Sequence, residues 1–136
     1  MQNLNMPLRR RSLLLAMAAA AISQPVAAQS AKDQKHPDVV DVKVRVSGPD
    51  LFDFEVTMTS PYDTAQRYAD AFRITNGAGV TFGERVLLHD HADEQPFTRD
   101  LARVRIPQGI RSVTVQGRDQ KHGYGGKTMQ VVLPGR

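Results

Sequence analysis

After residue 37 the chain alternates between hydrophobic and polar positions with a period of two. Val40, Val42, Val44 and Val46 fall on one face of an extended segment, whereas the residues between them are polar or charged. The stretch 52–58 repeats this alternation. A period of two is typical of a strand buried on one face, and the intervening Gly-Pro-Asp sequence is typical of a turn. The pattern therefore predicts a β-hairpin at the start of the domain.

Five further strands follow from the same pattern and from the turns between them. The alternation at 68–74 predicts a third strand, although the alanines at 65–71 leave a helix as the alternative. An Asn-Gly-Ala-Gly turn at 76–79 requires strands on both sides. The remaining strands are predicted at 80–89, 97–106, 110–118 and 128–133. Seven short strands predict an all-β fold, a seven-stranded immunoglobulin-like β-sandwich over residues 38–136.

The residues before the first strand lack this alternation and carry the marks of an export signal. Three arginines at 9–11 precede an apolar run at 13–22, and small residues suited to cleavage follow before position 29. We predict a signal peptide at 1–28, a flexible leader at 29–37 and a periplasmic or secreted location. The arginines resemble a twin-arginine export signature, with a Sec signal as the alternative. The apolar run is too short to remain as a stable membrane anchor.

Removing the signal changes the charge of the protein. Three of the 18 basic residues and none of the 14 acidic residues lie in it, so the formal charge falls from +4 to about +1. This near balance argues against nucleic-acid binding. The sequence contains no cysteine, which excludes disulfides, a thiolate nucleophile and cysteine-ligated metals. Stability must therefore come from packing.

The four histidines are the strongest candidates for chemistry. In a sandwich of successively antiparallel strands the connections alternate between the two ends, which predicts that all four histidines share one end. We predict a copper or zinc site formed by His89, His91 and His122 with Glu94, because imidazole nitrogen suits both metals. His36 is the weakest candidate, since it lies in the leader.

Other side chains of the same loops are predicted to contact a ligand or partner. These are Tyr124, Tyr62 and Arg99. In the metal-free alternative, Glu94 pairs with Arg99 and the histidines are hydrogen-bonding loop residues. The glycines at 123–126 precede a strand instead of a helix, so they predict a hairpin turn and not a phosphate loop. No Ser-His-Asp arrangement or nucleophile elbow is evident, and we expect a binding protein more than an enzyme.

Two stretches carry a resemblance to known sequences. LLHDHADEQPFTR at 87–99 and HGYGGK at 122–127 resemble small exported bacterial proteins of uncharacterised function, over most of residues 38–134. The resemblance implies that both stretches occur together, and it implies no activity. The fold and glycine-rich end are also similar to exported sulfur-carrier subunits of thiosulfate oxidation, but the chain lacks their terminal cysteine. We therefore predict a periplasmic protein that binds a transition metal or small polar ligand at its His-rich loops. The alternative is a non-metal accessory module that binds a protein partner there.

Overall fold

The computed structural model describes residues 31–136, so the predicted signal peptide and the first two leader residues lie outside the described residues. A short 3-10 turn at Ala31–Asp33 precedes seven strands. In chain order these are β1 (Asp38–Gly48), β2 (Leu51–Thr59), β3 (Ala69–Thr75), β4 (Thr81–Val86), β5 (Phe97–Arg105), β6 (Ser112–Asp119) and β7 (Gly123–Val132). Among the described residues, no helix has the length and apolar character needed to cross a membrane.

The strands form two antiparallel sheets that pack face to face. One sheet has the order β1-β2-β5 and the other has the order β4-β3-β6-β7. This arrangement confirms the predicted immunoglobulin-like β-sandwich. The third segment is a strand with β4 on one side and β6 on the other, so the helix alternative is wrong.

The core lies between the two sheets and uses the inward-facing positions of the strands. In β6, for example, buried and half-buried residues alternate along the whole strand. The largest fully buried side chains are Phe54, Phe72, Phe97, Met58, Ile74, Ile106 and Leu133. Each buried side chain of this size contributes about 1.5–3 kcal/mol. This packing stabilises a domain that has no disulfide.

Two of the strand ends that differ from the prediction affect the His-rich loops. β4 ends at Val86, so His89 lies in the loop together with His91 and not at the end of the strand. β7 begins at Gly123, which leaves only residues 120–122 between β6 and β7. The alternation of hydrophobic and polar residues did not show the start of β7, because the glycines there have no side chain to mark a face.

Residues 34–37, which we call the N-terminal strap, pack against the sandwich. The strap crosses the glycine-rich start of β7, where a Cβ atom on Gly125 would lie 2.5 Å from the ring of His36. Arg67 fixes the strap by donating from Nη2 to the carbonyl oxygen of Gln34 at 2.7 Å. These contacts hold the last four residues of the predicted leader against the sandwich, in the space left by the missing glycine side chains.

At the opposite end, Arg136 binds the backbone of the β5–β6 connection. Its guanidinium donates to the carbonyl oxygens of Ile106 and Ile110 at 2.6 and 3.0 Å, and it pairs with Asp50 at 2.9 Å. We expect Arg136→Ala to lower the free energy of unfolding by about 2 kcal/mol, because these groups lose their partner. Urea denaturation measures this change. Arg105→Ala, at an exposed position of β5, is the control and should change stability by less than about 0.5 kcal/mol; equal losses would contradict the expectation.

Four segments of the chain meet at one end of the sandwich, which we call the histidine pole. They are residues 31–37, 60–68, 87–96 and 120–122. The strand registers bring these segments together, since Asp38 lies opposite Thr59 and Ala69 lies opposite Asp119. All four histidines belong to these segments, as the alternation of antiparallel strands predicts.

Candidate functional site

The segments 60–68 and 87–96 are tied to each other by Gln95. Its Oε1 atom accepts the backbone N–H of Ser60 at 2.7 Å. Its Nε2 atom donates to Ser60 Oγ at 3.3 Å and to the carbonyl oxygen of His91 at 3.0 Å. One side chain thus satisfies backbone groups of two loops, and it fixes the loop that carries His89 and His91.

His91 is the most buried histidine of the described residues, with 4% of its surface exposed. Its ring stacks on Phe97 with a centroid separation of 3.9 Å. The buried carboxylate of Asp63 accepts the N–H groups of His91 and Ala69, both at 3.0 Å, and lies 3.8 Å from His91 Nδ1. Within residues 31–136, Nδ1 has no hydrogen-bond partner. Burial and the nearby Arg99 lower the pKa of His91, so its imidazole is neutral at neutral pH.

Asp119 is a second buried carboxylate at the pole. It accepts the N–H groups of Lys121 and His122 at 2.9 and 2.8 Å, and it pairs with Arg67 at 3.2 Å. The Arg67 guanidinium lies 4.1 Å from the ring centroid of Tyr62. Tyr62 is 8% exposed, and burial together with Asp119 raises the pKa of its hydroxyl. Tyr62, a predicted contact residue, therefore packs inside the pole and presents little of its surface to solvent.

His89 is exposed and lies beside His91, with ring centroids 5.1 Å apart and planes inclined by 40°. Its Nδ1 atom is 2.9 Å from the carbonyl oxygen of Asp90. Because a carbonyl oxygen only accepts hydrogen bonds, Nδ1 is the donor in this contact. In His91 the corresponding Nδ1 atom lies 3.8 Å from the Asp63 carboxylate, which is beyond hydrogen-bond distance.

Glu94 and Arg99 form an ion pair with two hydrogen bonds, at 3.0 and 3.3 Å. The hydrogen bond from Arg99 holds the pKa of Glu94 below its usual value. The N–H of Glu94 also donates to the carbonyl oxygen of His91 at 3.0 Å, so the carboxylate belongs to the same turn as His91. This pairing is the one that the metal-free alternative predicts.

His122 is paired with His36 and not with His89 or His91. The ring centroids of His36 and His122 lie 6.1 Å apart in an edge-on arrangement. Within residues 31–136, no three or more histidine, cysteine, aspartate or glutamate side chains are grouped so that they could hold a metal ion. The predicted set of His89, His91, His122 and Glu94 is thus not assembled, and its two adjacent members are His89 and His91.

Tyr124 was predicted to lie in a loop, but it lies on β7. The guanidinium of Arg73 is 3.9 Å from the centroid of its ring, and its hydroxyl donates to Glu84 on β4. Arg73 in turn donates to Gln116 at 2.7 Å. Burial and the Glu84 carboxylate raise the pKa of Tyr124. The side chain therefore links strands of the four-stranded sheet, and its face is already occupied by a cation.

The pattern of the sequence does not indicate the roles of Asp63, Asp119 and Gln95, although these residues organise the pole. A signal for one of them was present, because an aspartate at the start of a turn commonly accepts the N–H two residues ahead. Asp119 makes this contact to Lys121. The contacts of Asp63 to His91 and of Gln95 to Ser60 join residues that are 28 and 35 positions apart, and no local pattern indicates them.

Comparison with known proteins gives one informative match. No family model matches the chain, and no solved structure matches it. A protein of Halomicrobium mukohataei named "Putative lipoprotein" is 39% identical over 99 residues. The match covers 73% of this chain and 48% of that protein. The chain therefore spans about half the length of the relative, and it is similar to one part of a protein that is named a lipoprotein.

Proposed function

We propose that this is an exported binding protein whose His89–His91 pair holds a copper or zinc ion. Export is supported by the arginine-rich, apolar N-terminus of the sequence and by the lipoprotein name of the relative. The observation that carries the metal proposal is the adjacency of the two imidazoles, whose centroids are 5.1 Å apart. Imidazole nitrogen bound at about 2.0–2.1 Å is a preferred ligand of zinc, and it also suits copper.

The groups behind the two rings support this proposal. In metal sites a ligand histidine usually has its other ring nitrogen next to a carboxylate or a carbonyl oxygen, which fixes the tautomer. The carbonyl oxygen of Asp90 is 2.9 Å from Nδ1 of His89 in this way, and the Asp63 carboxylate lies near Nδ1 of His91 at 3.8 Å. Two protein ligands leave coordination positions for water or a small ligand. Such an open site suits carriage or sensing of the ion.

The division of the histidines into two pairs provides a matched test. We expect His89→Ala to weaken binding of Cu²⁺ by more than about tenfold, because half of the nitrogen ligands are lost. His122→Ala removes a histidine of the other pair and should bind Cu²⁺ as the unaltered protein does. Titration calorimetry with Cu²⁺ and with Zn²⁺ measures both. Equal binding by the two variants, or no binding by the unaltered protein, would remove the proposal.

A protein partner is the second candidate, and one observation favours it. Leu88 is 83% exposed immediately before His89, and burial of a leucine side chain by a partner would contribute about 1.5–3 kcal/mol. A photo-crosslinking residue at position 88 of the exported protein tests this. A discrete protein adduct that persists in His89→Ala would support partner binding without metal, whereas the absence of an adduct would contradict it.

A further inference from the structure

The turn between β3 and β4 contains Asn76 followed by Gly77, and all residues of 76–80 are exposed. β3 begins at the histidine pole and ends at Thr75, so this turn lies at the opposite end from the proposed metal ligands. Gly77 has a φ of +80°, and a Cβ atom built on it would lie 3.6 Å from the side chain of Thr114. Because the glycine has no side chain to shield it, its backbone nitrogen is open to approach by the side chain of Asn76.

Two hydrogen bonds prepare the side-chain carbonyl group of Asn76 for attack. Its Oδ1 atom accepts the backbone N–H groups of Ala78 and Val80 at 2.8 and 3.1 Å. Two N–H donors on one carbonyl oxygen make its carbon more electrophilic, and they stabilise the negative charge that this oxygen gains when a nucleophile adds. The turn thus provides an oxyanion hole for its own asparagine side chain.

The nucleophile within reach is the backbone nitrogen of Gly77. Covalent geometry keeps it near the side-chain carbon of Asn76, because a bond between the two atoms closes a five-membered ring. The N–H group of Gly77 donates to Thr75 Oγ1 at 3.2 Å. The hydroxyl oxygen of Thr75 therefore accepts a hydrogen bond from the proton that must leave before the nitrogen attacks. One turn thus holds an electrophile, a nucleophile and a hydrogen-bond acceptor for the departing proton.

We infer that the folded turn promotes deamidation of Asn76, which makes this residue a site of self-modification. The nitrogen of Gly77 loses its proton to solvent base and bonds to the side-chain carbon, while the side-chain amino group takes a proton from water and leaves as ammonia. Water, the only co-reactant, then hydrolyses the cyclic imide at one of its two carbonyl carbons. Attack at the side-chain carbon gives aspartate. Attack at the backbone carbon gives isoaspartate, which adds one atom to the backbone of the hairpin.

Peptide mapping by liquid chromatography and mass spectrometry tests the inference, because it separates asparagine, aspartate and isoaspartate at position 76. The full protein is incubated at mildly alkaline pH, either folded or unfolded in guanidinium chloride. We expect the folded protein to convert Asn76 about tenfold faster, less than the roughly 10²–10³-fold effect of one donor in a buried oxyanion hole, because this turn is exposed to water. An equal or lower rate in the folded protein would overturn the inference, since the turn would then protect Asn76.

Thr75 and Thr114 provide a matched pair of variants, because they lie opposite each other on β3 and β6. Thr75→Val removes the acceptor of the Gly77 N–H and should slow conversion of the folded protein by about fivefold, the effect of one lost hydrogen bond. Thr114→Val removes the neighbouring hydroxyl and should leave the rate unchanged. Thermal unfolding checks that both variants are folded, and in guanidinium chloride both should react as the unaltered protein does. Equal slowing of the two folded variants, or slowing of Thr75→Val in the denaturant, would overturn the inference.

Discussion

Gly126→Ala is expected to lower the free energy of unfolding by about 3–4 kcal/mol. Gly126 has a φ of +77°, a conformation that costs a residue with a Cβ atom about 1–2 kcal/mol. The added Cβ atom would also overlap the carbonyl oxygen of Pro37 and approach the Cβ atom of His36 to 3.1 Å. Both overlapping atoms belong to the N-terminal strap, so the strap must move away from β7. Urea denaturation measures the loss, and hydrogen exchange measures the exposure of the strap.

Gly123 provides a control for the conformational cost of a positive φ alone. It lies in the same stretch with a φ of +79°, but among the described residues no atom lies within 4 Å of the position of its Cβ. Gly123→Ala should therefore cost only about 1–2 kcal/mol and should leave exchange in the strap unchanged. Equal losses in the free energy of unfolding for the two variants would show that packing of the strap on β7 contributes nothing to stability.

These glycines show where the sequence pattern could be interpreted and where it could not. A run of glycine after Asp119 indicates a tight turn, and Gly123 and Gly126 do adopt positive φ. The role of Gly125 is different, because it makes room for the ring of His36, 89 positions earlier in the chain. Local patterns predict turn conformations, whereas a seat for a distant segment depends on tertiary packing that no local pattern encodes.

The same distinction explains the fold and the candidate site. The alternation of buried and exposed positions predicted the strands and therefore the sandwich, and antiparallel order predicted that the histidines share one pole. Which side chains of that pole are free depends on how its loops fold back. Tyr62 lies in a loop, yet it is buried beside Asp119, and His91 is stacked on Phe97 while His89 stays exposed. Position in a loop predicted the location of these residues and not their exposure.

Asp119→Ala is expected to lower the free energy of unfolding by about 3–5 kcal/mol, because it removes one partner of a buried ion pair. The carboxylate is fully buried and pairs with Arg67 at 3.2 Å. The substitution also leaves the N–H groups of Lys121 and His122 without their acceptor. Asp100→Ala is the control, since Asp100 is 76% exposed in its ion pair and should cost less than about 1 kcal/mol.

The contribution of Asp119 should also depend on pH in a defined direction. Burial alone would raise the pKa of Asp119, but the Tyr62 hydroxyl, the two loop N–H groups and Arg67 outweigh burial and lower it. A carboxyl whose pKa is lower in the folded state stabilises the protein above its unfolded pKa, about 3.9, and loses this effect as the pH falls through the folded value. The stability difference between the unaltered protein and Asp119→Ala should therefore be full at neutral pH and shrink below about pH 4. Urea titrations at several pH values measure this difference in stability. A difference that stays constant below about pH 4 would show that the charge of the Asp119 carboxylate does not stabilise the pole.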